Sequence, residues 1–178
     1  MSPTSATAHI PAPAGPARGE QWYAEFGTRI YRYLRYHVAS ADEADELTAE
    51  TFLRAVRAAA SFDPARGNAK AWLFRIAQNV LRDARRRERR RGSVPIEAFR
   101  DLVSDAPSPE ERLLHEEEVR RLLAAMDELS ERDREVVSLR YGSELEYPEI
   151  AGILGIREAA VRTRLWRALG RLREVLAR

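Results

Sequence analysis

Residues 129–178 read LSERDREVVSLRYGSELEYPEIAGILGIREAAVRTRLWRALGRLREVLAR. Pro148 stands where the first turn of a helix tolerates a missing N–H. Ile150, Ala151, Ile153 and Leu154 then give one apolar face over barely two turns. Gly155 falls where a sharp helix–helix turn needs left-handed backbone. A second helix opens near Arg157, with Val161, Leu165, Ala168, Leu169 and Leu172 at three- and four-residue spacing. Short helix, glycine turn and longer basic helix together make a helix-turn-helix, the unit that lays its second helix in a DNA major groove.

On a wheel of about 100° per residue, Leu165, Ala168 and Leu172 fall within about 40° of Val161 and define the buried side. Ala159, Ala160, Thr163, Trp166 and Arg167 point the other way, with Arg162 on the shoulder. Small residues and arginines on that face suit close approach to base edges and phosphates. A basic amphipathic helix by itself fits a solvated bundle helix equally well. The Pro148-to-Gly155 unit ahead of it is what favours DNA.

At 178 residues the chain has room for one domain or two small ones. A net charge of +2 conceals strong segregation. Residues 82–91, RDARRRERRR, hold seven arginines against two acids, and residues 157–178 repeat that balance. Residues 104–135 hold eleven acids and five arginines. Two basic blocks around an acidic one imply two surfaces that meet polyanions. The absence of cysteine excludes disulfides, thiolate metal sites and cysteine catalysis. His9, His37 and His115 share no helix face, so no metal is expected, and no motif asks for a cofactor. No apolar run approaches membrane-spanning length and no signal-peptide pattern is present, so a cytoplasmic protein without membrane insertion is expected.

Taken in order, residues 1–19 are rich in proline and small polar residues and read as a disordered tail. Trp22, Phe26, Ile30 and Leu34 then recur at four-residue steps, the core face of a helix. A second helix begins at Ser40 or Ala41, with Asp42, Glu43, Asp45 and Glu46 in its first turns, where the helix dipole favours anions. Its candidate core residues are Leu47, Thr51, Val56 and either Phe52 or Leu53; its acids either compensate the dipole or form a docking surface. After a turn-rich loop over 61–70, Asn68 caps a helix running from Ala69 to Arg91. Leu73, Ile76, Ala77, Val80 and Ala84 form its apolar stripe. Trp72, Arg75, Gln78, Asn79, Arg82, Arg86 and Arg89 lie opposite, a combination of guanidinium, amide and aromatic groups suited to nucleic acid. Trp72 fits either that face or the core. Residues 92–112 break the periodicity with Pro95, Pro107 and Pro109 and read as a linker. Its Val94, Ile96, Phe99, Leu102 and Val103 suit a partner's groove or packing on either domain. A helix over Leu113–Leu129 follows, and Ser130 with Asp133 makes a capping box for the next. The expected fold is all-α: two small helical domains, 20–91 and 113–178, joined by a flexible linker, the second a helix-turn-helix.

ADEADELTAETFLRAV followed by AWLFRIAQNVLRDARRR, and then LSERDREVVSLRY with EYPEIAGILGI and AAVRTRLWRALGRLRE, resembles the bacterial RNA polymerase sigma factors of the extracytoplasmic-function group of the sigma-70 family. The likeness runs from about residue 20 to 176, and the ordered pair of motifs is more specific than either alone. The resemblance implies that the chain is no enzyme but binds core RNA polymerase and directs promoter recognition, opening of the −10 element and initiation. It implies that polymerase meets Asp45, Glu46, Leu47, Glu50, Thr51 and Phe52. The loop over 61–69 would receive an unstacked base, and Asn68, Lys70, Trp72, Arg75, Gln78, Asn79, Arg82 and Arg86 would follow the −10 strand. Arg157, Glu158, Ala159, Ala160, Arg162, Thr163, Arg164 and Arg167 would read the −35 element. An anti-sigma factor clamped between the domains is also implied.

The sequence departs from the family at Ala49, where glutamine is usual, at Glu46, where aspartate is usual, and at Ala160, where threonine is common. Glu146 and Arg157 stand where serine or threonine normally caps the two DNA-reading helices. The competing reading is a homodimeric helix-turn-helix regulator that binds palindromic operators without polymerase, for which the second arginine-bearing helix has little use. A hydrolase built on the acids of the second helix lacks a nucleophile–base pair, a phosphate loop and metal-ligand spacing.

Overall fold

The computed structural model describes residues 16–91 and 109–177, all helices and turns with no strand among the described residues. The expected tail over 1–15 and linker over 92–108 lie outside them. Residues 16–19 and 109–112, read with the tail and the linker, instead form the first turns of helices.

The N-terminal bundle comprises α1 (Pro16–Arg35), α2 (Ala41–Arg57) and α3 (Ala69–Arg91). The four-residue recurrence in α1 does what its spacing dictates, and Trp22, Phe26, Ile30 and Leu34 are all buried. Burying an Ile or Leu side chain stabilises by roughly 1.5–3 kcal/mol, so this one stripe is a large share of the bundle's driving force. Ser40 caps α2, its hydroxyl accepting from the Glu43 N–H at 3.1 Å. Phe52 turns inward and Leu53 outward, which decides between the two. Thr48 and Thr51 are buried, and each hydroxyl donates to a carbonyl one turn back at 2.7 Å, so neither leaves a polar atom unpaired. The α3 stripe is buried through Leu73, Ala77 and Val80, and Phe74 and Leu81, outside the expected stripe, are buried as well.

The C-terminal bundle comprises α4 (Pro109–Asp127), α5 (Glu131–Val137), α6 (Tyr147–Leu154) and α7 (Glu158–Leu176). Ser130 caps α5 as expected, accepting from the Asp133 N–H at 3.2 Å. Beyond Val137 the helix widens into a π turn over Ser138–Gly142, closed by Ser143 N–H to the Ser138 carbonyl at 3.1 Å. At α6 the Glu149 carboxylate reaches back to accept from the Glu146 N–H at 2.8 Å, the returning half of a capping box. Gly155 is left-handed (φ 64°, ψ 34°) and turns the chain into α7. Val161, Leu165, Ala168 and Leu172 are buried and form the hydrophobic side of α7.

The two bundles share one continuous apolar cluster, in which Tyr33 and Phe74 of the first meet edge to face with ring centroids 5.7 Å apart.

Candidate nucleic-acid interfaces

The outward side of α7 presents Ala159, Arg162, Thr163, Trp166 and Arg167, all exposed. Arg157 is exposed at the N-cap and makes no side-chain cap bond. Arg162 pairs with Glu158 and lies 4.7 Å from the Tyr147 ring centroid, which holds its long side chain out over the surface. The Thr163 hydroxyl donates to the Ala159 carbonyl at 2.9 Å. Trp166 is 78% exposed in the middle of this face, an apolar area left open among the described residues. It shares this face with Arg162 and Thr163, where the helical wheel already pointed it outward.

Arg167 donates to Asp133 Oδ1 at 2.7 Å, and the Ser130 hydroxyl donates to Oδ2 at 2.8 Å. Burial would raise the Asp133 carboxyl, but these two hydrogen bonds and the charges of Arg167 and Arg164 together hold the group below the usual carboxylate range. Arg167 therefore braces α7 against α5 while still reaching the surface. Glu158, Ala160 and Arg164 are half-buried. Arg164 lines a cleft between the bundles with Arg82, Arg85, Arg132, Glu131 and Glu135, so it is directed away from Arg162 and Thr163.

On the N-terminal bundle, Ser61, Phe62, Asp63, Gly67, Asn68, Ala71, Trp72 and Arg75 line a pocket of about 390 Å³. Asp63 and Asn68 shape its rim through their own backbone, accepting from Ala65 N–H at 2.9 Å and Ala71 N–H at 2.7 Å. Trp72 is half-buried, its ring centroid 5.1 Å from those of both Trp22 and Phe62. It is at once core and pocket wall, which explains why the pattern fitted both. Asn79, Arg82 and Arg86 form an exposed strip along α3, Arg82 donating to the Asn79 side chain at 2.8 Å. Lys70, Arg75 and Gln78 are engaged by the C-terminal bundle instead. Lys70 pairs with Glu149 at 2.6 Å, Arg75 donates to the Gly152 carbonyl at 3.2 Å, and Gln78 donates to Glu135 at 2.8 Å.

The acidic helix needs a correction. Leu47, Thr51 and Phe52 are buried in the bundle's own core and offer a partner no surface. What α2 presents is Asp45, Glu46 and Glu50, flanked by exposed Leu53 and, on α1, exposed Tyr23. Glu50 accepts from Arg54 at 2.7 Å, and Arg54 also reaches Asp83 at 2.8 Å, which locks α2 to α3. Among the described residues, no group of three or more His, Asp or Glu is placed to hold a metal. No helix among the described residues is long and apolar enough to cross a membrane.

The family model for sigma-70 region 2 matches residues 22–91, and that for sigma-70 region 4 matches residues 119–172. The chain is 33% identical over 154 residues to the ECF RNA polymerase sigma factor BldN of Streptomyces coelicolor, covering 86% of this chain and 58% of BldN. It is 30% identical over 161 residues to the ECF RNA polymerase sigma factor SigM of Bacillus subtilis, covering 89% of this chain and 95% of SigM. The chain thus spans little more than half the length of BldN and nearly all of SigM. Among solved structures, it is similar to the sigma factor RpoE in complex with the anti-sigma factor NepR from Bartonella quintana. There the TM-score is 0.70 at 26% identity, covering 89% of this chain and 96% of that one.

Proposed function

Because the chain belongs to the extracytoplasmic-function group of the sigma-70 family, we propose that it binds core RNA polymerase and directs it to promoters. Asp45, Glu46 and Glu50, with Leu53 beside them, form the polymerase-facing surface. The pocket walled by Phe62, Asn68 and Trp72 receives a base unstacked from the −10 element. Extruding a base costs on the order of a few kcal/mol, and stacking on an aromatic returns ~1–3 kcal/mol, so capture there offsets most of the opening. Asn79, Arg82 and Arg86 follow the phosphates upstream. The outward face of α7 reads the −35 element, each bidentate arginine contact being worth ~1–3 kcal/mol. Neither bundle needs high affinity alone, since a shared enzyme makes the second contact effectively intramolecular.

The protein performs no catalysis of its own; it acts in the cytoplasm, where the polymerase is. An anti-sigma factor as restraining partner is supported by the RpoE–NepR complex. The observation that carries this reading is the pair of arginine-bearing helix faces, one in each matched region, with a rimmed aromatic pocket at the head of the first. A homodimeric operator-binding regulator is not favoured, because it leaves that pocket and the α3 strip unused.

The test is run-off transcription with core polymerase on promoters dependent on this chain. Transcripts are expected only when the chain is present, and loss of either promoter element should abolish them. A chain that fails to associate with core polymerase contradicts the proposal.

A further inference from the structure

Arg164 is the arginine of α7 that the −35 reading face leaves over. It is half-buried, it lines the cleft between the bundles, and among the described residues it makes no hydrogen bond or ion pair. It acts on Asp133 through space alone, and that carboxylate is already taken by Arg167 and Ser130.

The cleft has a volume of about 330 Å³, within the range of small-molecule sites. Four guanidinium groups line it against two carboxylates: Arg82 and Arg85 of α3, Arg132 of α5 and Arg164 of α7, with Glu131 and Glu135 of α5. Both carboxylates are engaged. Glu131 accepts from Arg85, and Glu135 accepts from the Tyr33 hydroxyl and the Gln78 amide, both at 2.8 Å. Arg85 is occupied at its other end as well, donating to Nδ1 of buried His37 at 3.0 Å. Arg82 donates to the neutral Asn79 side chain at 2.8 Å. Arg132, like Arg164, has no hydrogen bond or ion pair among the described residues. Arg82, Arg132 and Arg164, from three helices, thus share one cleft with no acid to answer them, and like charges so gathered repel unless an anion compensates.

We propose that this cleft binds a diphosphate group, free or carried by a nucleotide, with Arg164, Arg132 and Arg82 as its ligands. A guanidinium takes phosphate oxygens in pairs. Three such forks ask for more oxygen edges than one phosphate presents, and a diphosphate supplies them. Leu154, half-buried in the same wall, gives a nucleotide base an aliphatic surface to rest on. A DNA strand fits less well, because Glu131 and Glu135 line the same cleft and oppose a continued run of phosphates. Arg82 belongs to the N-terminal bundle and Arg132 and Arg164 to the C-terminal one, so the bound group ties the two together and gives a phosphorylated metabolite a handle on the chain.

The test is isothermal titration of the full chain with sodium pyrophosphate, ADP, AMP and sodium sulfate at matched ionic strength. Saturable binding of pyrophosphate and ADP is expected, with AMP and sulfate weaker by about tenfold or more, the loss of at least one charge-assisted contact. Arg164→Ala and Arg132→Ala should each weaken pyrophosphate binding by about tenfold. Arg173→Ala, which removes an equal charge from an exposed position of α7 outside the cleft, should leave it unchanged. Thermal melts without ligand establish that each variant is folded, and Arg132 is exposed, so Arg132→Ala carries the test if Arg164→Ala does not fold. Equal affinity for pyrophosphate and ADP supports the site with free diphosphate as its occupant. Tighter binding of ADP, reduced by Leu154→Ala, supports it with a nucleotide as occupant.

Absence of saturable binding of either diphosphate below about 1 mM overturns the proposal. So does equal weakening by Arg173→Ala and Arg164→Ala, the mark of an anion held by net charge alone. A short mixed-sequence single strand that loses affinity in Arg132→Ala and Arg164→Ala, and against which pyrophosphate does not compete, gives the cleft to DNA and overturns it likewise.

Discussion

Arg162→Ala separates DNA reading from folding more cleanly than any other substitution on α7. The guanidinium makes two contacts inside the protein. One is an ion pair with Glu158, in which the side chains are 61% and 39% exposed; solvent screening limits such helix pairs to roughly 0.3–0.5 kcal/mol. The other is its approach to the Tyr147 ring at 4.7 Å, worth about 0.5–1 kcal/mol at an exposed site. Removing both should destabilise the chain by about 1 kcal/mol, a fall in Tm of ~2–4 °C for a chain of this size. On the promoter, loss of a bidentate contact costs ~1–3 kcal/mol, or about 5- to 150-fold in affinity for the −35 element. The assay is run-off transcription by the reconstituted holoenzyme on two templates, one with the native −35 element and one with it scrambled. The variant should lose activity on the first and match the unsubstituted chain on the second. Equal activity on the native template, or an equal fractional loss on both, refutes the placement of Arg162 at the bases.

Arg167→Ala should behave differently, because it also strips Asp133 of its partner. Asp133 is held below its ordinary pKa, so its contribution to stability is complete above the ordinary carboxylate value and is lost as pH falls through the lowered one. The Tm gap between the unsubstituted chain and Arg167→Ala should therefore be widest near neutrality and narrow below about pH 4, as thermal melts across pH would show. His37 loses its contribution in the same direction but over a higher pH range. Burial, then Arg85 and Arg134, push it well below its ordinary value, so its contribution is complete above about pH 6.5 and weakens as pH falls further. Melts of His37→Gln should show a shallower decline over that range. Trp72→Ala should cost about 2 kcal/mol, less than the ~3–5 kcal/mol typical of a fully buried tryptophan. It should also impair promoter opening more than polymerase binding, measured by comparing open-complex yield with holoenzyme assembly.

The helix-turn-helix was legible because everything that specifies it is local: one glycine at a left-handed position, one apolar face per helix and a turn between. The start of α6 was harder to read, since the Glu149 carboxylate reaching back to the Glu146 N–H satisfies a helix-end donor where the pattern leads one to expect a serine. Periodicity put Leu47, Thr51 and either Phe52 or Leu53 in the core while the resemblance put Leu47, Thr51 and Phe52 against polymerase, and burial agrees with periodicity. A motif quoted as a run of letters does not distinguish its buried face from the exposed one carrying Asp45, Glu46 and Glu50. Tyr33, Leu81 and His37 were missed because the groups that cover them lie in part across the seam between the bundles. Periodicity within one helix cannot report a contact made by a helix sixty or a hundred residues away. The same limit hid the engagement of Lys70, Arg75 and Gln78 by α5 and α6.

Permanganate reactivity of thymines on a promoter bound by the reconstituted holoenzyme tests the central claim most directly. Reactivity is predicted at the −10 element when core polymerase and the chain are both present, and it should be reduced by Trp72→Ala and by loss of the −35 element. Absence of any opened segment, together with protection of symmetric duplex sites by the chain without polymerase, contradicts the account.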